Sequence, residues 1–398
     1  MQKSSKLREV VITGMWGCSS AGESPATMAK NISQGKSGIT HSNRFSYINL
    51  DTFPIGSLER EVDDFEKDNV HEWTHKESIK AIKNALKDAN LSIDPDENEK
   101  IGLVVASSTL KVLRMQEFIR RERDKKAPIP LLLMGDGYLQ NLANHFNIRG
   151  EVHNVSTACS SGTGAICLAM DTIMTGEQET MLVVSADPLV ELSLSGFASL
   201  QSLSDENSTP FDVNRHGINL GEASVAVILE EKGKALARGA KIYCDLLAYS
   251  QGNDAYSLTA PEPEGKGAER VMREAMNWGG ISSKDVGYIN THGTGTKLND
   301  TMELKAIEAL GFDCYVSSTK CYTGHCLATA GLLELVLSIE SYRQKQFFPN
   351  YKLVEAERLQ HLLERDNYEI PDNNRPYILS NSFAFGGNSA SILLEMNR

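Results

Sequence analysis

Cys159 lies in Ser156-Thr157-Ala158-Cys159-Ser160-Ser161-Gly162-Thr163-Gly164-Ala165, directly after the apolar, strand-like Val152–Val155. Small residues on both sides permit a sharp strand-to-helix turn and the close approach of a substrate. A helix that opens here aims free N–H groups and its positive dipole end at the sulfur. That favours thiolate, the nucleophilic form of cysteine. Cys18, Cys167, Cys244, Cys314, Cys321 and Cys326 lack such surroundings and read as small core residues. Two histidines stand at similar junctions. His292 closes Tyr288-Ile289-Asn290-Thr291-His292-Gly293-Thr294-Gly295-Thr296, a strand running into a Gly/Thr loop. His325 ends Lys320-Cys321-Tyr322-Thr323-Gly324-His325, a turn leading into a helix. A single histidine is commonly a satisfied structural residue; two in matching Gly/Thr-rich junctions are candidate catalytic groups. Asn381-Ser382-Phe383-Ala384-Phe385-Gly386-Gly387-Asn388 reads as a flexible loop before the last strand. Its glycines let backbone N–H groups approach a ligand, although an ordinary hairpin turn would read the same way.

The elements that position these residues alternate. Strands are expected at Glu9–Thr13, Ile101–Ala106, Val152–Val155, Met181–Ser185, Ser224–Leu229, Val286–Asn290 and Ala390–Leu394. Helical periodicity marks Ser78–Ala89, Gly162–Thr175, Gly267–Asn277, Thr301–Leu310 and Cys326–Ser338. Such alternation predicts an α/β fold with buried sheets. An internal repeat adds to this. Ser156–Gly162 and Ser318–Gly324 share four of seven positions, 162 residues apart. Ser224–Glu230 resembles Ser389–Glu395 at an offset of 165. Two near-equal offsets point to a duplicated α/β half, against coincidence in short Ser- and Gly-rich segments. Duplication places equivalent turns at one shared cleft.

Composition excludes several classes. The 398 residues carry 40 basic and 52 acidic side chains, a net charge of −12, which argues against a general nucleic-acid binder. With 41% hydrophobic and 23% charged residues, the chain has material for a large core. No apolar run approaches the ~18 residues of a membrane span, and Met1 to Val11 lacks a secretory signal. Seven cysteines, odd in number and without metal-like pairing, fit a reduced cytoplasmic protein. One motif of another class is literal: His71-Glu72-Trp73-Thr74-His75 is H-E-x-x-H, which on a helix puts two histidines on one face for zinc with Glu72 as base. Five residues are a short pattern, and no continuation places a third ligand.

Taken together, Cys159 in its turn, His292 in Thr-His-Gly-Thr-Gly-Thr, His325 in Lys-x-x-x-Gly-His and the Phe-Gly-Gly loop resemble an elongating β-ketoacyl-acyl carrier protein synthase over essentially the whole chain. The resemblance implies the thiolase-like fold: duplicated halves in five layers α-β-α-β-α, here 1–245 with the cysteine and 246–398 with both histidines. It also implies a decarboxylative condensation. The cysteine takes an acyl group from a carrier protein, and the histidines stabilise the enolate left when a malonyl thioester loses carbon dioxide. Lys320 and Glu334 match supporting charges, expected to orient His325. The backbone N–H groups of Cys159 and Phe385 match the oxyanion hole, and the Phe385 side chain a gate on the acyl pocket. No metal or organic cofactor is implied within the chain, because the phosphopantetheine arm arrives with the acyl carrier protein. The other implied partner is a second chain, in a homodimer or in a heterodimer with a ketosynthase-like chain-length factor.

Departures from the family pattern bear on pathway. In Phe211–Ala223, His216 replaces an acid and Ile218-Asn219 replaces Phe-Val; Cys326–Gly331 departs from a Gly-Ala-Ala-Gly ending. These fit a specialised polyketide or polyene pathway as well as a housekeeping fatty-acid role. A chain-length factor normally lacks the cysteine present here. A thiolase has a second catalytic cysteine in the last loop, yet none occurs between Phe383 and Arg398. An initiating synthase uses Cys, His and Asn, whereas His325 favours elongation. For docking an acidic carrier, Lys111 to Lys126 holds seven basic against three acidic residues. Within it, Lys125 and Lys126 resemble a basic pair that the family uses near its pocket entrance; a solvated helix face is the alternative. Glu59 to Glu72 carries seven acidic and two basic residues, so a second basic stretch found in some relatives is missing.

Overall fold

A computed structural model describes residues 7–58, 70–93, 98–109, 137–363, 368–370 and 375–397, with the backbone alone at 70–72 and 368. Twelve strands are seen among them. They are β1 (Val10–Ser19), β2 (Ile101–Ala106), β3 (Val152–Val155), β4 (Thr180–Asp187), β5 (Ala223–Glu231), β6 (Cys244–Asn253), β7 (Val286–Asn290), β8 (Tyr315–Ser317), β9 (Gln346–Phe347), β10 (Tyr368–Glu369), β11 (Tyr377–Phe383) and β12 (Asn388–Met396). Ten of them hydrogen-bond in the order β3-β2-β4-β5-β1-β6-β12-β11-β7-β8. That order is a mirror. The first five strands read outward from β1 as β5, β4, β2, β3, and the second five outward from β6 as β12, β11, β7, β8. The pairing senses match as well: β2 is parallel to β3 and β4, and β7 to β8 and β11. Each β1- or β6-side neighbour is antiparallel. The two sets meet in a short antiparallel seam, Val10–Ile12 against Cys244–Leu246. The duplication expected from the repeat is therefore present: its first pair of segments follows β3 and β8, and its second pair is β5 and β12.

Side-chain alternation along the strands builds the layers. Val225, Val227 and Leu229 of β5 face one core while Ala226 and Ile228 face another; β4 divides in the same way. On the outer face of the first set lie α2 (Val70–Asp88) and α3 (Gly137–His145). The shared inner core is filled by α1 (Pro25–Ser33), α4 (Ser161–Met174) and α10 (Ala330–Arg343). Leu379 and Leu393 face outward to α7 (Lys266–Gly279) and α8 (Lys297–Leu310). The result is five layers, α-β-α-β-α. Helices α4 and α10 are buried almost all round, which is why their sequences are apolar and small on every face. Each fully buried Ile or Leu there contributes about 1.5–3 kcal/mol of transfer free energy.

Where α4 and α10 cross, two glycines let the backbones touch. A Cβ on Gly162 would lie 2.8 Å from Leu332 N, and one on Gly331 would lie 2.1 Å from Thr163 Oγ1. This crossing sets the turn before α4 against the turn before α10. Five strands, β6, β8, β9, β10 and β11, were not expected from the sequence. Asn381–Phe383, read as loop, is the buried end of β11, and the helix expected from Cys326 begins at Ala330 after a short turn. Among the described residues no helix is long and apolar enough to cross a membrane.

Candidate active site

Cys159 sits in a single turn, Ala158–Ser160, between β3 and α4, with Ala158 held at φ 51°. The sulfur is nearly buried and lines a cavity of about 500 Å³. Backbone N–H groups of Phe385 and of Cys159 itself face it. Burial nevertheless dominates: it pushes the thiol up to about 11, against Lys320 and the two N–H groups, which pull it down. Burial thus works against the thiolate that the helix start favours. A helix N-terminus supplies only ~0.3–1 kcal/mol at the surface, too little to offset desolvation here.

His292 and His325 line the same cavity, their rings 5.3 Å apart and nearly perpendicular. Both are buried, and burial with the nearby Lys320 charge keeps them well below the ordinary imidazole range, hence neutral. Their tautomers follow from their neighbours. Lys320 Nζ, which can only donate, lies 3.3 Å from His292 Nδ1, so the ring proton is on Nε2. Leu327 N donates to His325 Nδ1 at 3.2 Å, which again leaves the proton on Nε2. His325 Nε2 is buried without a partner. It is an N–H donor without a protein partner, on a ring that lines the cavity.

Lys320 is itself held by Glu334 Oε1 at 2.5 Å and donates to His292 O at 2.5 Å. Glu334 is raised to about 7 by burial, against the pull of Lys320. The pair therefore orients His292, not His325 as expected. His325 is pinned through its backbone: its main-chain N–H donates to Asn219 O at 2.7 Å, and Gly221 N donates to His325 O at 3.0 Å.

The last loop is bound rather than flexible. Gly386 N donates to Leu258 O, Asp254 N to Gly387 O and Asn253 Nδ2 to Gly386 O, at 2.7–2.9 Å. Gly387, at φ 76°, has no room for a side chain, since a Cβ would meet Asp254 Oδ1 at 2.2 Å. The Phe385 ring stacks on Phe197 of α5 (Glu191–Ser199), centroids 5.5 Å apart, and both line the cavity.

A thiol, two neutral imidazoles and an N–H pair share one cavity. The beta-ketoacyl synthase N-terminal domain family matches residues 7–235, and the C-terminal domain family matches residues 243–353. This chain is a member of the beta-ketoacyl synthase family. It is 30% identical to the 3-oxoacyl-[acyl-carrier-protein] synthase 2 of Staphylococcus aureus (strain COL), over 98% of this chain and 99% of that one. To the protein of that name from Synechocystis sp. it is 32% identical, over 98% of each. Among solved structures it resembles a type II PKS acyl-carrier protein in complex with its ketosynthase bound to the hexaketide (TM-score 0.85, 26% identity, 98% of this chain and 100% of that one). A second is the ketosynthase ApeO in complex with its chain length factor ApeC from Xenorhabdus doucetiae (TM-score 0.78, 28% identity, 98% of each chain).

Two residues of this synthase escaped the sequence reading. Glu303 accepts from His292 N and Gly293 N, both at 2.9 Å, and Asp300 accepts from Thr294 N at 2.9 Å and Gly295 N at 3.1 Å. Together they grip the backbone of the histidine loop, and burial raises Glu303 to about 8. Their signal was two acids three apart just inside a helix start, next to the loop's free N–H groups. The departures are also accounted for. Asn219 Oδ1 accepts from Ser208 N at 2.6 Å, and its Nδ2 reaches Pro54 O, Ser204 O and Glu206 O. His216 is exposed and lines the cavity. His75 packs edge-on against Tyr138, while the side chains of His71 and Glu72 fall outside the described residues. Lys125 and Lys126 also lie outside them.

Proposed function

We propose that this synthase joins an acyl group held on Cys159 to a malonyl-carrier thioester with loss of carbon dioxide. The observation that carries the reading is the convergence of Cys159, His292 and His325 on one cavity, with N–H groups of Cys159 and Phe385 facing the sulfur. In the first half-reaction the Cys159 sulfur attacks the acyl thioester. The oxyanion is held by the two N–H groups, and the thiol proton ends on the departing phosphopantetheine thiolate. No net proton is needed, so a resting thiol suits the step. In the second half-reaction the malonyl carboxylate leaves as carbon dioxide, and its C–C electron pair becomes an enolate. The Nε2–H donors of His292 and His325 stabilise that oxygen. The enolate carbon attacks the acyl-Cys159 carbonyl, releasing a β-ketoacyl-carrier thioester and a Cys159 thiolate that takes up one proton. Each neutral imidazole, with its proton on Nε2, can donate one hydrogen bond to that oxygen. The phosphopantetheine arm comes with the acyl carrier protein, and a specialised polyketide or polyene pathway is the reading that the changed Ile218-Asn219 and Cys326–Thr329 segments support. A dimer is the assembly we favour: β3, at the outer end of the ten-strand sheet, leaves its residues half-exposed, ready to pair with a second chain.

Cys159→Ala, purified and given acyl-carrier and malonyl-carrier proteins, is expected to form no β-ketoacyl product while keeping its thermal transition. Turnover by that variant overturns the assignment. His292→Ala with His325→Ala is expected to slow malonyl decarboxylation by 100-fold or more and to slow Cys159 acylation far less. Normal decarboxylation by the double variant removes the role given to the imidazoles.

A further inference from the structure

The turn after His325 is where the sequence departs from the family pattern, and its side chains take no part in the chemistry above. Within it, Thr329 stands at the start of α10. It is fully buried, yet its hydroxyl does not cap the helix. It turns instead to the end of β4. Thr329 Oγ1 lies 2.7 Å from Ser185 Oγ and accepts from Asp187 N at 3.1 Å. Ser185 donates its own hydrogen to Ala106 O at 2.8 Å, so the Thr329 hydrogen is directed to Ser185. One residue earlier in the turn, Ala328 N donates to Asp187 Oδ2 at 3.3 Å. That carboxylate is fixed in turn by Ser107 Oγ at 2.6 Å, Ser108 Oγ at 2.7 Å, Thr109 Oγ1 at 3.0 Å and Ser108 N at 3.1 Å.

The grip bears on a single backbone group. Leu327 is held at φ 50°, in the left-handed region that L residues rarely adopt. Its N–H is the one that meets His325 Nδ1. Left-handed conformations persist where the surroundings over-determine them, and the two residues that follow Leu327 are the ones tied to β4. We propose that Thr329 and Asp187 form a positioning clamp that holds the Cys326–Ala328 turn, keeps the Leu327 N–H on His325 Nδ1, and so keeps His325 as an Nε2–H donor toward the cavity. Neither residue lines the cavity; both act through the turn. The consequence for turnover rests on the reading in which His325 stabilises the enolate, but the tautomer itself does not.

The test reads the tautomer directly, by ring ¹⁵N shifts in histidine-labelled full-length protein, with His325→Ala assigning the signal among nine histidines. In wild type, His325 is expected to be a single Nε2–H tautomer; an Nδ1–H or mixed ring overturns the clamp without any variant. Thr329→Val, which removes the hydroxyl at equal volume, is expected to give a mixed ring and a tenfold or greater loss of decarboxylation, with Cys159 acylation within twofold. Thr329→Ser is expected to restore both. Should Thr329→Val fail to fold, Asp187→Asn, which sets an amide against Ala328 N or Ser107, is expected to give the same mixed ring. An unchanged ring in a folded variant overturns the proposal, whatever happens to rate. A mixed ring with normal decarboxylation upholds the clamp and removes His325 from the enolate step.

Discussion

Burial of Cys159 governs how it reacts with small electrophiles. With the thiol pushed up to about 11 by burial, its alkylation by iodoacetamide is expected to rise about tenfold per pH unit from pH 7 to 10, with no plateau. A plateau below pH 8 in the rate profile, read by mass spectrometry of the Cys159 peptide, would mean a resting thiolate. Cys18 and Cys321 are pushed further, to about 12, and neither lines the cavity, so both should label more slowly. The imidazoles make a second prediction. Their folded-state values are depressed, so the stability they give is present above the unfolded value near 6.5 and is lost as pH falls below it. Urea melts between pH 7 and 5.5 should show wild type losing ground to the His292→Ala, His325→Ala variant, by on the order of 1 kcal/mol per imidazole per pH unit. These three residues were legible because turn chemistry is local: small residues, a glycine and the end of a strand lie within ten positions. The partner of Lys320 was not legible. Which imidazole it meets depends on how the turns after β7 and β8 face each other, and no spacing along the chain encodes that.

Helices α4 and α10 carry the site by their crossing. Gly162→Ala would drive a Cβ into Leu332 N and Ala328 O, backbone atoms that cannot rotate away. The helices must separate, at an overpacking cost of about 1–3 kcal/mol, and the Cys159 turn must move from the His325 turn. The expected outcome is a lower urea midpoint together with a tenfold or greater loss of condensation. Wild-type turnover in a destabilised Gly162→Ala protein would show that the crossing does not set the site. The strands show why part of the fold was hidden. Strand β2 is Ile-Gly-Leu-Val-Val-Ala and announces itself. Strand β6 is Cys-Asp-Leu-Leu-Ala-Tyr-Ser-Gln-Gly-Asn, with no β-branched residue, and is made a strand by β1 and β12 on its two sides. Strand β11 contains Ser380-Asn381-Ser382, loop-like in composition. Buried, Asn381 instead accepts from Ser391 Oγ of β12 at 2.8 Å.

At the scale of the molecule, the proposed reaction asks a chain of net charge −12 to admit an acidic carrier, and we propose that the basic run ending at Lys125-Lys126 steers it. Lys125→Glu with Lys126→Glu is expected to raise the carrier KM severalfold at low ionic strength and to flatten its salt dependence, with kcat within twofold; an unchanged KM at low salt returns the run to a solvated surface. The mirrored strand order has a consequence for how the chain is made. On the ribosome β1 emerges first of these ten strands, but its neighbour β5 is synthesised much later: the Thr13–Glu230 hydrogen bond joins residues 217 apart. The second half repeats the problem, because β12 lies between β6 and β11 and is translated after both. Until it emerges, the nascent chain presents two open sheet edges, which invite chaperones or other chains. A stop codon at Asn388 would leave both edges open permanently. Such a chain is expected to partition into the insoluble fraction on expression, although it retains Cys159, His292 and His325.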